Sequence, residues 1–214
     1  MPKPARLAKP QTTHNHEPYS KRAMALNQVR LMAQLGFRQF FVAGHDRGGR
    51  VAYRLALDHP QQVVKLAVLD IVPTCEMWRR ADMEFGLAMW HWYFLAQDSP
   101  FPERVIAADP DAFYFRGDRA VFDPEALDDY LRCTQNDETI HAMCEDYRAG
   151  ATYDFAADEA DRGTHRIICP LLALWSGRGE LQRWFDMPAV WRQWADDVRG
   201  RPIDCGHYLA RGST

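Results

Sequence analysis

The sequence predicts an α/β fold built on a mostly parallel sheet. Three observations carry that expectation. Phe40-Phe41-Val42-Ala43, residues 67–72 and residues 167–175 are apolar runs without alternation, the pattern of strands covered on both faces. Stretches with helical spacing separate the runs. A glycine-rich turn joins the first run directly to a helical stretch, giving a strand, a tight turn and a helix.

The elements follow in chain order. Residues 1–18 hold four prolines and two histidines without periodicity, and are expected to form an extended lead-in. Ser20 is placed to cap a helix over 21–35, where Ala23, Leu26, Val29, Met32, Ala33 and Leu35 recur at helical spacing and Gly36 ends the run. After the strand at 40–43 and its turn, residues 51–57 are helical up to His59-Pro60. Residues 63–72 supply the second strand, most clearly at 67–72. Residues 75–160 change character: they carry Trp78, Trp90, Trp92, Tyr93, Phe94 and Tyr147 and contain no convincing strand. The expectation is a core of 1–74 and 161–214 with a helical cap of 75–160 inserted. Residues 167–175 give the third strand, 184–196 an aromatic-rich helix, and 201–204 a short last strand, with Cys205-Gly206-His207 beyond it.

Composition bounds the function. With 214 residues, 47% hydrophobic and 26% charged, the chain can bury one core plus a smaller insertion. Its 26 basic and 29 acidic residues nearly cancel, which gives no reason to expect nucleic acid or an anionic membrane as partner. Five cysteines, an odd number with no CxxC pair, suit free thiols in a reducing compartment. No apolar run reaches the ~18 residues of a membrane span, and the start has no apolar segment of a secretory signal. A cytoplasmic protein is the expectation.

Gly44-His45-Asp46-Arg47-Gly48-Gly49 occupies the turn between the first strand and its helix. Alone, these residues are a polar turn as readily as a functional one. In this setting they match the nucleophile elbow of α/β-hydrolases, G-x-S-x-G, with aspartate in place of serine. Small residues are needed there because strand and helix approach closely, and the helix N-terminus favours a carboxylate. A carboxylate is already ionised near neutral pH and suits displacement at a saturated carbon, leaving an ester on the enzyme. That ester needs an activated water. His207, late in the chain and just beyond a strand, is the candidate base, and the order nucleophile, acid, histidine is that of the α/β-hydrolases. Asp70, an ionisable group inside an apolar run, is the preferred orienter of the histidine, with Asp186 or Glu180 as competitors.

Residues 44–54, 68–74, His91-Trp92 and Cys144-Glu145-Asp146-Tyr147-Arg148-Ala149-Gly150 resemble the fluoroacetate dehalogenases, a haloacetate dehalogenase family with the α/β-hydrolase fold, over roughly residues 19–209. The resemblance implies that Asp46 is the nucleophile, His207 the base and Asp70 its orienter. It further implies that Arg47 and Arg50 grip the substrate carboxylate, and that His91, Trp92 and Tyr147 donate hydrogen bonds to the departing halide. Tyr153 stands close to Tyr147 in the chain and competes for that role. The implied reaction is hydrolysis of a short 2-haloacid, fluoroacetate giving glycolate and fluoride, with no metal or organic cofactor; a homodimer is compatible with the family.

The sequence departs from the family at its start. One helix precedes the first strand, and no upstream His-Gly pair supplies a second oxyanion amide beside that of Arg47. A partial sheet, incomplete at its N-terminal side, with an exposed apolar edge is therefore expected. Two alternatives to the dehalogenase stand: an epoxide hydrolase using the same aspartate, and a truncated remnant without catalysis.

Overall fold

The computed structural model describes residues 15–115, 119 and 122–211. Four strands form one parallel sheet in sequential order: β1 (Phe40–His45), β2 (Val63–Leu69), β3 (Leu171–Ser176) and β4 (Val198–Ile203). The register aligns His45 with Leu69, Leu69 with Leu174, and Ser176 with Ile203, so the strands end along one edge. In open parallel sheets that carboxyl edge is where functional groups collect.

Helix α1 (Lys21–Gln34) is capped by Ser20, whose side chain accepts from the Ala23 amide, and ends before Gly36 at φ 86°. Helix α2 (Arg47–Asp58) starts at the turn itself, earlier than the apolar spacing from Val51 suggests, because the polar first turn is also helical. Its buried side carries Ala52, Tyr53, Leu55, Ala56 and Leu57 against the sheet. Arg54 is also buried there, paired with Asp58 and Asp161 at 2.7 and 2.6 Å.

Between β2 and β3 the described residues form helices only. They are α3 (Thr74–Arg79), α4 (Met83–Ala88), α5 (Trp90–Leu95), α6 (Phe101–Ala108), α7 (Pro110–Tyr114), α8 (Pro124–Thr134), α9 (Asp137–Ala149) and α10 (Phe155–Asp161). A π-helical turn, Gly150–Asp154, joins α9 to α10. Leu95, Ile106, Ile140 and Cys144 make a small second core among these helices. Lys21 ties α1 to this region: its ammonium lies 2.7 Å from Asp146 and 3.3 Å from Asp154, and its amide donates to Asp154 at 2.8 Å. All five cysteines are free thiols. Among the described residues no helix is long and apolar enough to cross a membrane.

Several sequence expectations need correction. The lead-in falls mostly on residues 1–14, outside the described residues, and Glu17–Tyr19 form a single 3-10 turn. The third strand is shorter than 167–175. Pro170 has no amide to donate, so Ile167 makes only an isolated bridge to Ala195 before β3 starts at Leu171. The helix expected at 184–196 is two helices, α11 (Glu180–Trp184) and α12 (Met187–Trp194). Phe185 is extended, and Asp186 caps α12 by accepting from the Ala189 amide, with Pro188 in the first turn. The last strand begins at Val198, ahead of 201–204; it tolerates Pro202 because it is an edge strand.

The outer edge of β1 is apolar, as expected. Phe41 is 71% exposed, and Leu31, Leu35 and Phe37, near it in the chain, are exposed too.

Candidate active site

The elbow is built by close approach. Asp46 sits at φ 51°, ψ −125°, a conformation that a non-glycine residue adopts only when its surroundings enforce it. A Cβ on Gly44 would overlap the Gly48 carbonyl, and one on Gly49 would lie 2.9 Å from Ile71 Cγ1. Gly48, the last glycine of the five-residue pattern, has open space around its Cα, so strand–helix contact demands glycine at 44 and 49 only. The Asp46 amide donates to the Leu69 carbonyl at 3.2 Å, and the Asp46 carbonyl accepts from the Arg50 amide at 3.2 Å. The bend is thereby pinned to both β2 and α2.

Asp70 follows β2 and also has positive φ, 52°. Its amide donates to Leu174 at 2.8 Å. Its carboxylate is used twice: Oδ1 accepts from the Ser176 amide at 2.9 Å, and Oδ2 lies 2.7 Å from His207 Nδ1. The other ring nitrogen, His207 Nε2, is 3.8 Å from Asp46 Oδ2. Asp46, Asp70 and His207 are thus brought together from three strand ends, with His207 oriented by Asp70 and aimed at Asp46. The competing acids lie elsewhere in function. Asp186 caps α12, and Glu180, although it borders the cavity described below, pairs with Arg183 at 2.7 Å.

The charges reinforce one another. Burial works to raise the Asp46 carboxyl, but His207, Arg50 and Arg47 outweigh it and hold the group well below the usual carboxylate range. Burial also works against a charged His207, yet Asp46 and Asp70 raise its pKa to about 9. In the resting site the two therefore form an ion pair at neutral pH.

Both arginines face the same space. Arg50 is 6% exposed; Nη1 donates to the Val72 carbonyl at 2.9 Å, and its guanidinium lies 4.7 Å from the centre of the Trp92 ring. Burial disfavours charge on Arg47, but Asp146, Tyr147 and Asp46 around it raise its pKa above the ordinary value. A narrow cleft of about 20 Å³ is bordered by Asp46, Arg47, Arg50, Trp78 and Tyr147. A larger cavity of about 400 Å³ is bordered by Asp46, His207, His91, Trp92, Tyr147 and Met77.

His91, Trp92 and Tyr147 stand together on its wall. Tyr147 meets His91 and Trp92 edge-on, with ring centres 5.9 and 5.7 Å apart. Burial pushes the Tyr147 phenol well above its ordinary pKa, which keeps it a hydrogen-bond donor. Tyr153 is 43% exposed, and its hydroxyl lies 3.4 Å from Asn15 Oδ1, away from this wall. Among the described residues no group of three or more His, Cys, Asp or Glu side chains is arranged to hold a metal ion.

Sequence reasoning missed five contributors. Ser176 holds Asp70 through its amide and also donates its hydroxyl to the Cys205 carbonyl at 2.7 Å. His45 contacts the His207 main chain at 2.8 Å. Trp78 closes the narrow cleft and donates to the Gly150 carbonyl at 3.1 Å. Lys21 and Asp146 border that cleft as a buried ion pair. His45 and Asp146 stood within segments already singled out, and Trp78 among the aromatic residues of 75–160, but none was given a role.

The family model described as alpha/beta hydrolase fold matches residues 8–210. A fluoroacetate dehalogenase of Burkholderia sp is 44% identical over 209 residues, which cover 94% of this chain and 68% of the relative. A soluble epoxide hydrolase of Corynebacterium sp. (strain C12) is 25% identical over 201 residues, 89% of this chain and 68% of that protein. Among solved structures, one from Nostoc sp PCC 7120 assigned to the α/β hydrolases superposes with a TM-score of 0.88 at 48% identity, covering 92% of this chain and 69% of that one.

Proposed function

The chain belongs to the α/β-hydrolase family and is a hydrolase, and on that premise we propose that it cleaves the carbon–halogen bond of short 2-haloacids, fluoroacetate first. The single observation that carries this reading is the Asp46 carboxylate at the strained elbow, bordering one cleft with Arg47 and Arg50, whose guanidiniums favour its charged form. A neutral substrate has no use for that pair, whereas a haloacid carries a carboxylate for it to hold. The similarity to the Burkholderia sp fluoroacetate dehalogenase supports the same substrate class.

In this mechanism Arg47 and Arg50 hold the haloacid so that its α-carbon faces Asp46. A carboxylate oxygen of Asp46 forms a bond to that carbon as the carbon–fluorine bond breaks, and fluoride leaves with the electron pair. Fluoride is a poor leaving group, so hydrogen bonds from His91, Trp92 and Tyr147 to the developing charge supply much of the rate. The product of this step is a carboxymethyl ester of Asp46.

Ester formation also prepares the second step. It removes the negative charge of Asp46, one of the two charges that raise the His207 pKa to about 9. The imidazole then loses its proton more readily and becomes a base. Nε2 takes a proton from water, the hydroxide adds to the aspartyl carbonyl, and glycolate leaves with the proton returned by the imidazolium. Asp70 keeps the ring in place throughout, through its 2.7 Å contact to Nδ1. The helices α3 to α10 act as the cap, bringing the halide donors over the nucleophile.

The test is intact-protein mass spectrometry of His207→Ala after treatment with fluoroacetate. The expected result is protein carrying one carboxymethyl group on Asp46, with one equivalent of fluoride released. A folded variant that stays unmodified would overturn the reading. The soluble epoxide hydrolase relative keeps one rival in view. Diol formation from styrene oxide without fluoride release from fluoroacetate would favour it.

A further inference from the structure

The segment that carries His207 is held lightly for the work proposed for it. It lies beyond β4, an edge strand, and residues 204–208 form neither helix nor strand. The ring is fixed at one end by Asp70, but that bond sets orientation only if the main chain beneath it stays put. Few contacts hold that main chain. The Cys205 amide donates to Ile203 at 2.8 Å, the Cys205 carbonyl accepts from Ser176 Oγ, and Asp204 pairs with Arg178 at 2.7 Å on the exposed side. At His207 itself the carbonyl accepts from two donors: the Leu209 amide at 3.0 Å, local to the segment, and Nε2 of His45 at 2.8 Å.

His45 is the residue immediately before the nucleophile and the last of β1. Its partner is a carbonyl, so His45 Nε2 carries the proton and donates. The same ring lies 4.5 Å from the His207 ring, centre to centre, tilted by 43°. One side chain therefore links the residue before Asp46 to the main chain of His207, across 162 residues of sequence. The contact thus ties together the two sides of the 3.8 Å gap between Asp46 Oδ2 and His207 Nε2.

We propose that His45 is a positioning residue for the hydrolytic half of the reaction, acting through its hydrogen bond to the His207 carbonyl. The inference rests on the reading of the preceding subsection. Ester formation needs Asp46, the arginines and the halide donors, none of which His45 holds through its side chain. Ester hydrolysis needs a water placed between the aspartyl carbonyl and His207 Nε2. A misplacement of about 1 Å can cost on the order of 100-fold in such a step. Loss of the His45 donor is thus expected to slow ester breakdown by roughly 10–100-fold and to leave ester formation within about 3-fold of the wild type.

The experiment follows both steps in the whole protein by rapid quench and intact-mass measurement with fluoroacetate. His207→Ala is the control, and thermal melts establish that each variant is folded. In His45→Ala the expected result is accumulation of the carboxymethyl ester during turnover. His45→Gln places an amide donor near the position of Nε2 and is expected to restore ester breakdown. His45→Phe keeps a ring against His207 without the donor and is expected to accumulate ester as His45→Ala does. Ester breakdown at the wild-type rate in His45→Ala, or a His45→Phe variant as fast as His45→Gln, would overturn the proposal. Absence of any ester in the His207→Ala control would instead overturn the dehalogenase reading, and this inference with it.

Discussion

Arg50 is held on two sides of the site, by a hydrogen bond from Nη1 to the Val72 carbonyl and by its guanidinium lying over the Trp92 ring. Lysine has one point charge and cannot keep that arrangement while also gripping a carboxylate. Arg50→Lys is expected to raise the KM for fluoroacetate by about 10-fold or more, the worth of one charge-assisted hydrogen bond of ~1.5–3 kcal/mol. Steady-state fluoride release measures it; an unchanged KM would separate Arg50 from substrate binding. His207 gives a pH prediction with a definite sign. Its folded pKa lies near 9, above the ordinary 6.5, so its ion pairs stabilise the fold fully below pH 6.5 and the contribution disappears as pH rises through 9. The side chain is 43% exposed, so screening keeps the effect modest. The difference in Tm between the wild type and His207→Gln should be largest near pH 6 and shrink towards pH 10. A difference that grows with pH would contradict the ion pair.

At the scale of elements, α1 is joined to the helices between β2 and β3 by a buried lysine. Lys21 is 2% exposed and pairs with both Asp146 and Asp154, which are themselves buried. Lys21→Met leaves Asp154 without its cation and Asp146 with Arg47 alone, and breaking a buried pair in this way typically costs about 3–5 kcal/mol. Urea denaturation should report it as a lower midpoint, and the cleft beside Arg47 should lose order with it. This pairing was invisible in the sequence, since residues 125 and 133 positions apart carry no local sign of contact. The same holds for Ser176 and His45, which act on partners 106 and 162 residues away. The elbow was legible because it is local: a strained turn needs glycine where the backbone passes close, and a carboxylate there is conspicuous. Asp70 was legible as a charge inside an apolar run, although β2 ends one residue before it, and His207 by its order in the chain. The break between α11 and α12 had a signal that aromatic spacing masked, namely Asp186 as cap and Pro188 in the first turn.

At the scale of the whole molecule, β1 is the outer strand of the sheet among the described residues, and its Phe41 is 71% exposed. An open, apolar strand edge templates association. The chain is expected to self-associate as concentration rises, and Phe41→Lys to shift it towards monomer, as light scattering after size exclusion would show. No such shift would mean that this edge is not the contact. The ordering of the four strands has a separate practical consequence. Asp46, Asp70, Ser176 and His207 each come from or just beyond a different strand, so the histidine meets both its orienting carboxylate and Asp46 only when all four strands have come together. On the proposed mechanism, breakdown of the ester by the wild type, unlike its formation, would therefore count only molecules whose strands have all come together, making turnover a census of correctly assembled protein in a refolding mixture.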